Sequence, residues 1–362
     1  MVEIGAGGSS IARLDELGRI AVGPTSAGSE PGPACYGNSG RKPTTTDAHA
    51  VLGTLGPRSL LSGAMELDIG AAFTALEPIT SELGEQPLDV AAGIIRVANS
   101  IMEQGVRRMT LEQGHDPRDL TLVAFGGAGP LHAAAIARAM YISQVIVPPS
   151  PGVTSALGLL AADLRHDHVE TFGVPVPLLE PQQIDQALRR GESEVRARLT
   201  SEHIAESDIV IESTLNMKYA GGIEPQAMPM GVNTREAVDQ TWLDGLVERF
   251  HEAHAERFNY SVPEYPVEVE SVRVEGIGRI EPLEAQRTAA ATPAVPERRN
   301  VYFPELGENI DTPILQRDSL SNGETITGPA IVEQFDATTV IEPGMIAHID
   351  TVGNILIETR AN

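Results

Sequence analysis

The sequence predicts an α/β fold, because strand-like and helix-like segments alternate through residues 119–165. The short apolar run "TLVAF" leads through glycines into the helix-like segment "PLHAAAIARAM". A second run, "SQVIVPP", precedes the small-residue segment "SPGVTSALGLLAADL", which favours another helix. From Asn300 onward, β-branched runs are separated by turn residues, which predicts an all-β region.

The segments on either side extend this prediction. Residues 2–24 read as a β-hairpin whose first strand runs into the glycines of "GAGG", and a punctuated Gly/Pro/Ser-rich loop follows. Apolar residues recur at helical spacing from Val90 to Ile101, so "LDVAAGIIRVANSIMEQGVRRMTLEQG" is predicted to be a helix that stops at Gly114.

After residue 165 the composition becomes more polar. A helix is predicted around residues 178–205, followed by the strand "DIVIESTLNMKYAGG", the helix "REAVDQTWLDGLVERFHEAHAERF" and the strand "VEVESVRVEGIGRI". These patterns divide the chain into a first domain at 1–170, an α+β segment at 171–285, a linker at 286–299 and a C-terminal β domain at 300–362.

The net charge limits the classes of partner. The chain has 26 basic and 50 acidic residues, a formal charge of −24, which argues against nucleic acid and anionic membranes as partners. An anionic ligand would have to be held locally, by backbone N–H groups or a helix N-terminus. No apolar run is long enough for a membrane span, and no signal-peptide pattern occurs. With Cys35 as the single cysteine, we expect a cytoplasmic protein.

The segment "LVAFGGAGPLHA" carries the strongest local signal. A buried strand delivers Gly126, Gly127 and Gly129 to a turn, and Pro130 stands where a helix would begin. Free N–H groups at a helix start suit the polar groups of a nucleotide. The segment is neither a Walker loop nor a dinucleotide fingerprint, since His132 occupies the place of the last glycine. The glycines could equally serve only the packing of the helix on the strand. His132 could equally contact a neighbouring loop instead of a ligand.

Other clusters of titratable residues do not predict a metal site. The "HEAH" segment, residues 251–254, spaces its histidines three apart, whereas the zinc-protease motif needs four. The "RHDH" segment, residues 165–168, is predicted to be the solvent-exposed C-terminal end of a helix. Cys35, Asp47 and His49 lack zinc-ligand spacing. No metal ligands and no catalytic residues are therefore predicted.

Four segments together resemble a known family. They are "EIGAGGSSIARLDELGRIAVGPTSAGSEPGPACYG", "PTTTDAHAVLG", "LVAFGGAGPLHAAAIA" and "VPPSPGVTSALGLLAADLRHD". They resemble the A subunit of the ATP-dependent hydantoinase/5-oxoprolinase family, which also supplies nucleotide-binding subunits of acetone and acetophenone carboxylases. The likeness continues to the C-terminus through "GPAIVEQFDATTVIEPGMIAHIDTVGNILIET".

The resemblance implies an actin/hexokinase-like ATPase fold, with residues 1–170 as its second lobe and ATP in a cleft between lobes. The phosphate loops of the family, of the Asp-x-Gly-Gly-Thr type, lie upstream of the first glycine-rich hairpin, and this chain contains neither. The implied partners are therefore a separate chain that carries those loops, a B-type subunit and a small carbonyl substrate. The implied cofactors are ATP and Mg²⁺ shared with the partner chain, with a transition metal in the B-type subunit.

The same resemblance implies site residues. Gly126, Gly127 and Gly129 would form the adenosine side of the site, and Arg96 and Asn99 its second wall. Gly7, Gly8 and His132 would line the cleft. The chain departs from the family pattern at Ser9, where a glycine is common, and in "LNMKYAGGIEPQAMP", which matches the usual strand only loosely.

Family members use ATP to activate a carbonyl oxygen. The first expectation is a subunit of a hydrolase of cyclic amides such as hydantoins, lactams or 5-oxoproline, inactive alone. Two alternatives stay open: a subunit of an ATP-dependent ketone carboxylase, and a non-catalytic scaffold subunit of such a complex. A freestanding small-molecule kinase is disfavoured because the phosphate loops are absent.

Overall fold

The computed structural model describes residues 3–232, 238–281 and 296–359. In this part of the chain the helices are α1 (Thr45–Leu52), α2 (Ile69–Leu83), α3 (Pro87–Met109), α4 (Gly129–Ala139), α5 (Thr154–Leu160), α6 (Pro181–Ser201) and α7 (Gln240–Phe258). The strands are β1 (Ser10–Leu14), β2 (Ile20–Ser26), β3 (Thr121–Val123), β4 (Gln144–Val147), β5 (Leu164–Pro175), β6 (Ile209–Tyr219), β7 (Gln226–Val232), β8 (Val267–Gly278), β9 (Glu297–Phe303), β10 (Glu308–Gln316), β11 (Thr325–Thr327), β12 (Ala330–Glu333), β13 (Thr338–Ile341), β14 (Ile346–Ile349) and β15 (Ile355–Glu358).

Two compact units make up the described chain, and residues 158–232 and 238–281 form the second of them. The first unit combines the residues up to 157 with those from 296 onward. Its five-stranded sheet has the order β11-β14-β15-β4-β3, with β3 parallel and β15 antiparallel to β4. Strands from two distant segments, 121–147 and 325–358, therefore share one hydrophobic core, in which Val145, Val147, Ile355 and Ile357 are fully buried.

The helices α1, α2 and α3 form a second core of the first unit, around Leu76 and Ile94. Helix α3 confirms the helical spacing from Val90 to Ile101, but it ends at Met109, and Gly114 closes a following 3-10 turn instead. A further sheet, β13-β12-β10-β9, has its own small core, which includes Phe303. The hairpin β1–β2 begins only at Ser10; the strand expected before the glycines is absent from the described residues 3 and 4.

In the second unit, α6 and α7 pack on the antiparallel sheet β5-β8-β6-β7. The helix exit expected at residues 165–168 is wrong, because these residues belong to strand β5. Alternate residues of β5 are half-buried and exposed, which is the period-two pattern of a strand with one covered face. His166 and His168 lie on the covered face. His166 Nε2 lies 2.9 Å from a carboxylate oxygen of Glu202, the residue after α6, and His168 Nδ1 lies 2.8 Å from one of Glu194, within α6.

The α/β class and the strand-rich C-terminal region are confirmed. Strand β9 begins at Glu297, inside the predicted linker, whose residues 286–295 lie outside the described part. The boundaries at 170 and 299 stay predictions as limits of independently folding domains. Among the described residues, no helix is both long and apolar enough to cross a membrane.

Candidate functional site

The loop between β3 and α4 presents an open backbone surface. Ala124 continues the ladder of β3, since its N–H donates to the Ile146 carbonyl at 2.8 Å. Gly126 then adopts a φ of +81°, and its N–H donates to the Pro151 carbonyl at 2.6 Å. A Cβ placed on Gly126 would meet no atom within 4 Å. The left-handed turn therefore ends in free space, where a ligand can approach the backbone.

Helix α4 starts immediately behind this turn, at Gly129, with Pro130 in its first turn. Proline is pre-organised for that position, and its missing N–H removes one of the unpaired donors of a helix start. The remaining donors and the positive end of the helix dipole favour an electronegative ligand group. The loop geometry expected from "AFGGAGPLH" is thus present, whereas its assignment to adenosine stays a prediction.

The glycine segment near the N-terminus lies beside this loop. A Cβ on Gly8 would lie 3.6 Å from the Cβ of Ala128, which immediately precedes α4. The Gly8 carbonyl accepts hydrogen bonds from the N–H and the hydroxyl of Thr46, both at 2.9 Å, and the Gly7 carbonyl accepts one from the Thr45 hydroxyl at 2.5 Å. Two glycine segments that are over 100 residues apart in sequence therefore meet at the start of α1.

Asp47 holds the N-terminus of α1 in place. Its buried carboxylate accepts hydrogen bonds from the N–H groups of Ala34, Cys35 and Thr44, at 3.2, 2.8 and 2.9 Å, and from the Thr44 hydroxyl at 2.7 Å. Burial, reinforced by the Asp47 carboxylate, raises the pKa of the Cys35 thiol. Cys35 is therefore a neutral core residue without the thiolate that nucleophilic or metal chemistry needs.

Helices α1 and α4 each carry a buried histidine. The rings of His49 on α1 and His132 on α4 are edge to face, with their centroids 4.8 Å apart. His132 Nδ1 lies 2.7 Å from Asn99 Oδ1 on α3, so this contact ties α4 to α3. The His132 side chain, at 1 % exposure, reaches no solvent-exposed surface of the chain. His132 and Asn99 are thus brought together, but as internal contacts.

The hydrogen bonds define the tautomer of His49. The Thr54 hydroxyl donates to the His49 carbonyl at 2.9 Å, so its oxygen accepts from the His49 Nδ1–H at 2.8 Å. His49 Nε2 is then an unprotonated nitrogen, and it is buried without a partner among the described residues. His132 Nε2 is likewise buried without a described partner. Burial lowers the pKa of both rings, to about 4 for His132.

These histidines predict a loss of stability in acid. Their pKa values lie below the unfolded value of about 6.5, so the unfolded chain takes up protons first as the pH falls. Between pH 6.5 and 4 the free energy of unfolding should drop by up to about 1.4 kcal/mol per pH unit through His132, and His49 should add to the loss below pH 6.5. Urea unfolding from pH 7.5 to 4.5 measures this slope.

In His132→Leu the free energy of unfolding should change less steeply with pH, because one fewer proton is taken up on unfolding. The variant should nevertheless be less stable than the parent protein at every pH. Ile136, which is buried on α4 and does not titrate, provides the control: Ile136→Ala should be less stable but keep the slope of the parent protein. An unchanged slope in His132→Leu would show that His132 is not a buried neutral residue.

A contact from the C-terminal region supports the glycine loop and was missed in the sequence. Asp336 accepts a hydrogen bond from the N–H of Gly152 at 2.8 Å, and its carbonyl would lie 3.5 Å from a Cβ on Gly127. Gln334 Nε2 donates to Asp336 Oδ1 at 2.6 Å and to the Pro149 carbonyl at 2.9 Å. The segment "EQFDATT" gave no local signal for this, because the partners lie more than 180 residues away.

The remaining predicted residue, Arg96, is exposed on α3, three residues before Asn99. It has no hydrogen bond or ion pair with another described residue, so its guanidinium is available to a ligand. Within the described residues, no group of three or more His, Cys, Asp or Glu side chains could hold a metal ion. His251 and His254 of "HEAH" instead contact Tyr219, Phe250 and Tyr260.

The hydantoinase/oxoprolinase family model matches residues 1–168, and the model of the hydantoinase/oxoprolinase C-terminal domain matches residues 179–358. The chain belongs to the hydantoinase/oxoprolinase family. The resemblance carried by the glycine-rich motifs is thereby confirmed, and it covers the first and the second half of the chain alike.

Curated relatives of this family include caprolactamase subunit alpha from Pseudomonas jessenii, which is 33% identical over 96% of this chain and 51% of its own length. The acetophenone carboxylase gamma subunit from Aromatoleum aromaticum is 31% identical over 99% of this chain and 50% of its own length. The chain therefore spans about half the length of these relatives.

The crystal structure of the ATP-dependent caprolactamase from Pseudomonas jessenii superposes with a TM-score of 0.75 at 32% identity. It covers 98% of this chain, which corresponds to 52% of the caprolactamase chain. The similarity extends from sequence to fold over nearly the whole length of this chain.

Proposed function

We propose that this chain is part of a multi-chain, ATP-dependent enzyme and provides the adenosine-binding side of an ATP site shared with another chain. The observation that carries this proposal is the open turn at Gly126, which lies at the start of α4 and beside the Gly7–Gly8 segment. Its support is membership in a family whose relatives include an ATP-dependent caprolactamase. The second chain would carry the phosphate loops that this sequence lacks.

The residues present fit a nucleotide. Gly126 leaves room for a flat ring or ribose against the backbone, because a Cβ there would project into free space. Arg96 offers an exposed guanidinium that can stack on a ring or bind a phosphate. Asn99 would act by holding His132 and hence the first turn of α4, since its side chain is buried against that ring.

Bound ATP, with Mg²⁺ held jointly with the partner chain, would supply the phosphoryl group that turns a carbonyl oxygen into a leaving group. Amide and ketone carbonyls are poor electrophiles, so this activation makes attack at carbon feasible. Residues of this chain would bind and orient the nucleotide and contribute its positive surroundings locally, since the net charge is −24. A B-type subunit, with a transition metal, would complete the reaction. We place the complex in the cytoplasm.

We propose a cyclic amide as the substrate, on the precedent of the caprolactamase subunit. The similarity to a subunit of acetophenone carboxylase supports ketone carboxylation as a second candidate. Stimulation of ATP hydrolysis in the purified complex distinguishes the two. Hydantoins or lactams should stimulate it if the first proposal is correct; an aryl ketone with bicarbonate should do so if the second is.

Purification of the native complex tests whether the site is shared. We expect a partner with Asp-x-Gly-Gly-Thr loops to co-purify, and the isolated chain to bind ATP only weakly. Micromolar ATP affinity of the isolated chain would contradict a shared site. A non-catalytic scaffold is the third hypothesis, and substitution of Gly126 separates it from the other two.

A further inference from the structure

A cavity of about 300 Å³ lies in the first unit between the loop that follows α1 and the ends of β10 and β12. Arg58, Ser62, Glu297, Gln316 and Gln334 are among its lining residues. We propose that this cavity binds a small molecule that carries both a carboxylate and an ammonium or amide N–H group. The site itself does not depend on the proposed ATP-dependent function.

Arg58 supplies the carboxylate-binding group. Its exposed guanidinium has no ion pair or hydrogen bond with another described residue. Its neighbour Arg299, in contrast, is already bound to Glu333 at 3.0 Å and to the Gly53 carbonyl at 2.8 Å. Arg58 lies across Gly63, where a Cβ would be 3.1 Å from its Nε. The planar guanidinium, with its donors uncommitted, offers two parallel N–H groups that match a carboxylate.

The loop that carries Arg58 holds an unusual backbone. Leu61 and Ser62 both have a φ of 50°, in the left-handed region that side chains other than glycine rarely adopt. Burial of an apolar side chain does not account for this conformation, because Leu61 is 41% exposed. Such conformations persist where the surrounding structure imposes them, and they concentrate at ligand sites. Here the conformation places Ser62 in the cavity wall.

Gln334 supplies the acceptor for the N–H group. Its Oε1 is buried and has no hydrogen-bond partner among the described residues. The orientation of the amide is fixed, because Nε2 donates both to Asp336 and to the Pro149 carbonyl. A buried acceptor without a donor is unfavourable, and an N–H group of a ligand would satisfy it once a small movement of the cavity wall exposes Oε1.

Glu297 adds charge selectivity at the same cavity. It is exposed, and it has no ion pair with another described residue. One unpaired cation and one unpaired carboxylate therefore line a cavity of small-molecule size. This combination favours a molecule with both charges over an ion that carries only one of them.

Isothermal titration calorimetry of the full chain tests the proposal with 4-aminobutanoate, 6-aminohexanoate and L-glutamate. Butanoate, hexanoate and glutarate serve as the respective probes that lack the amine. At least one amino carboxylate should bind saturably, and its amine-free counterpart should bind at least about tenfold more weakly. Arg58→Gln should weaken binding by at least about tenfold, because it removes the charge-assisted hydrogen bonds.

The matched control is Arg108→Gln, which removes an exposed arginine near the end of α3 and should leave binding unchanged. Circular dichroism establishes that both variants are folded. The proposal is overturned if none of the three amino carboxylates binds, or if folded Arg58→Gln binds as the parent does. Equal affinity for hexanoate and 6-aminohexanoate would also overturn it, by removing the requirement for the N–H group.

Discussion

Alanine in place of Gly126 is expected to weaken ATP binding by the assembled complex by at least about tenfold, with a matching loss of ATP-dependent activity. Two effects combine. The φ of +81° costs an alanine about 1 kcal/mol or more, and the new methyl group projects into the open space where we place the nucleotide. Titration of the purified complex with ATP measures the change in affinity.

Gly114→Ala is the matched control for this substitution. Gly114 has a φ of +83°, and a methyl group on it, as on Gly126, would have no atom within 4 Å, but Gly114 closes a 3-10 turn elsewhere. Both variants should lose similar stability, and only Gly126→Ala should lose ATP affinity. Full activity of Gly126→Ala in an intact complex would instead support the scaffold hypothesis.

Asp47→Ala is expected to lower the free energy of unfolding by about 3–5 kcal/mol, as measured by urea denaturation. The substitution leaves the buried N–H groups of Ala34, Cys35 and Thr44 without their shared acceptor. Each unsatisfied buried donor costs about 1–3 kcal/mol. The variant should also disturb the start of α1, on which the Gly7 and Gly8 carbonyls are held.

Asp68→Ala provides the comparison. Asp68 caps α2 through a single hydrogen bond, from the Ala71 N–H at 2.9 Å, so its removal should cost about 1 kcal/mol. Asp47→Asn should fall between the two, since its amide oxygen can still accept hydrogen bonds. A cost for Asp47→Ala no larger than that for Asp68→Ala would show that the carboxylate does not organise this region.

The glycine loop could be predicted because its determinants are local. An apolar strand, three glycines and a proline at the helix start lie within a dozen residues, and each fixes one feature of the turn. The helix from Val90 was predictable for the same reason, since its apolar spacing repeats over several turns. The prediction of a helix end at residues 165–168 is wrong, although their alternation along β5 has the period-two pattern of a strand.

Contacts between distant segments could not be derived from local patterns. His132 stands in the first turn of α4, where a contact with a ligand is plausible, but its ring packs against α1 and bonds Asn99, 33 positions earlier. Asp336 supports the loop around Gly152 from 184 positions away. The pairing of β15 with β4 likewise depends on register between segments that are more than 200 residues apart.

Photo-labelling of the assembled complex with 8-azido-ATP, followed by peptide mapping, tests most directly whether this chain holds the adenosine side of the site. The account predicts labels on this chain in the segment 124–132 or on the facing residues of α3, with protection by excess ATP. Labels confined to the partner chain, or on this chain only outside those segments, would contradict it.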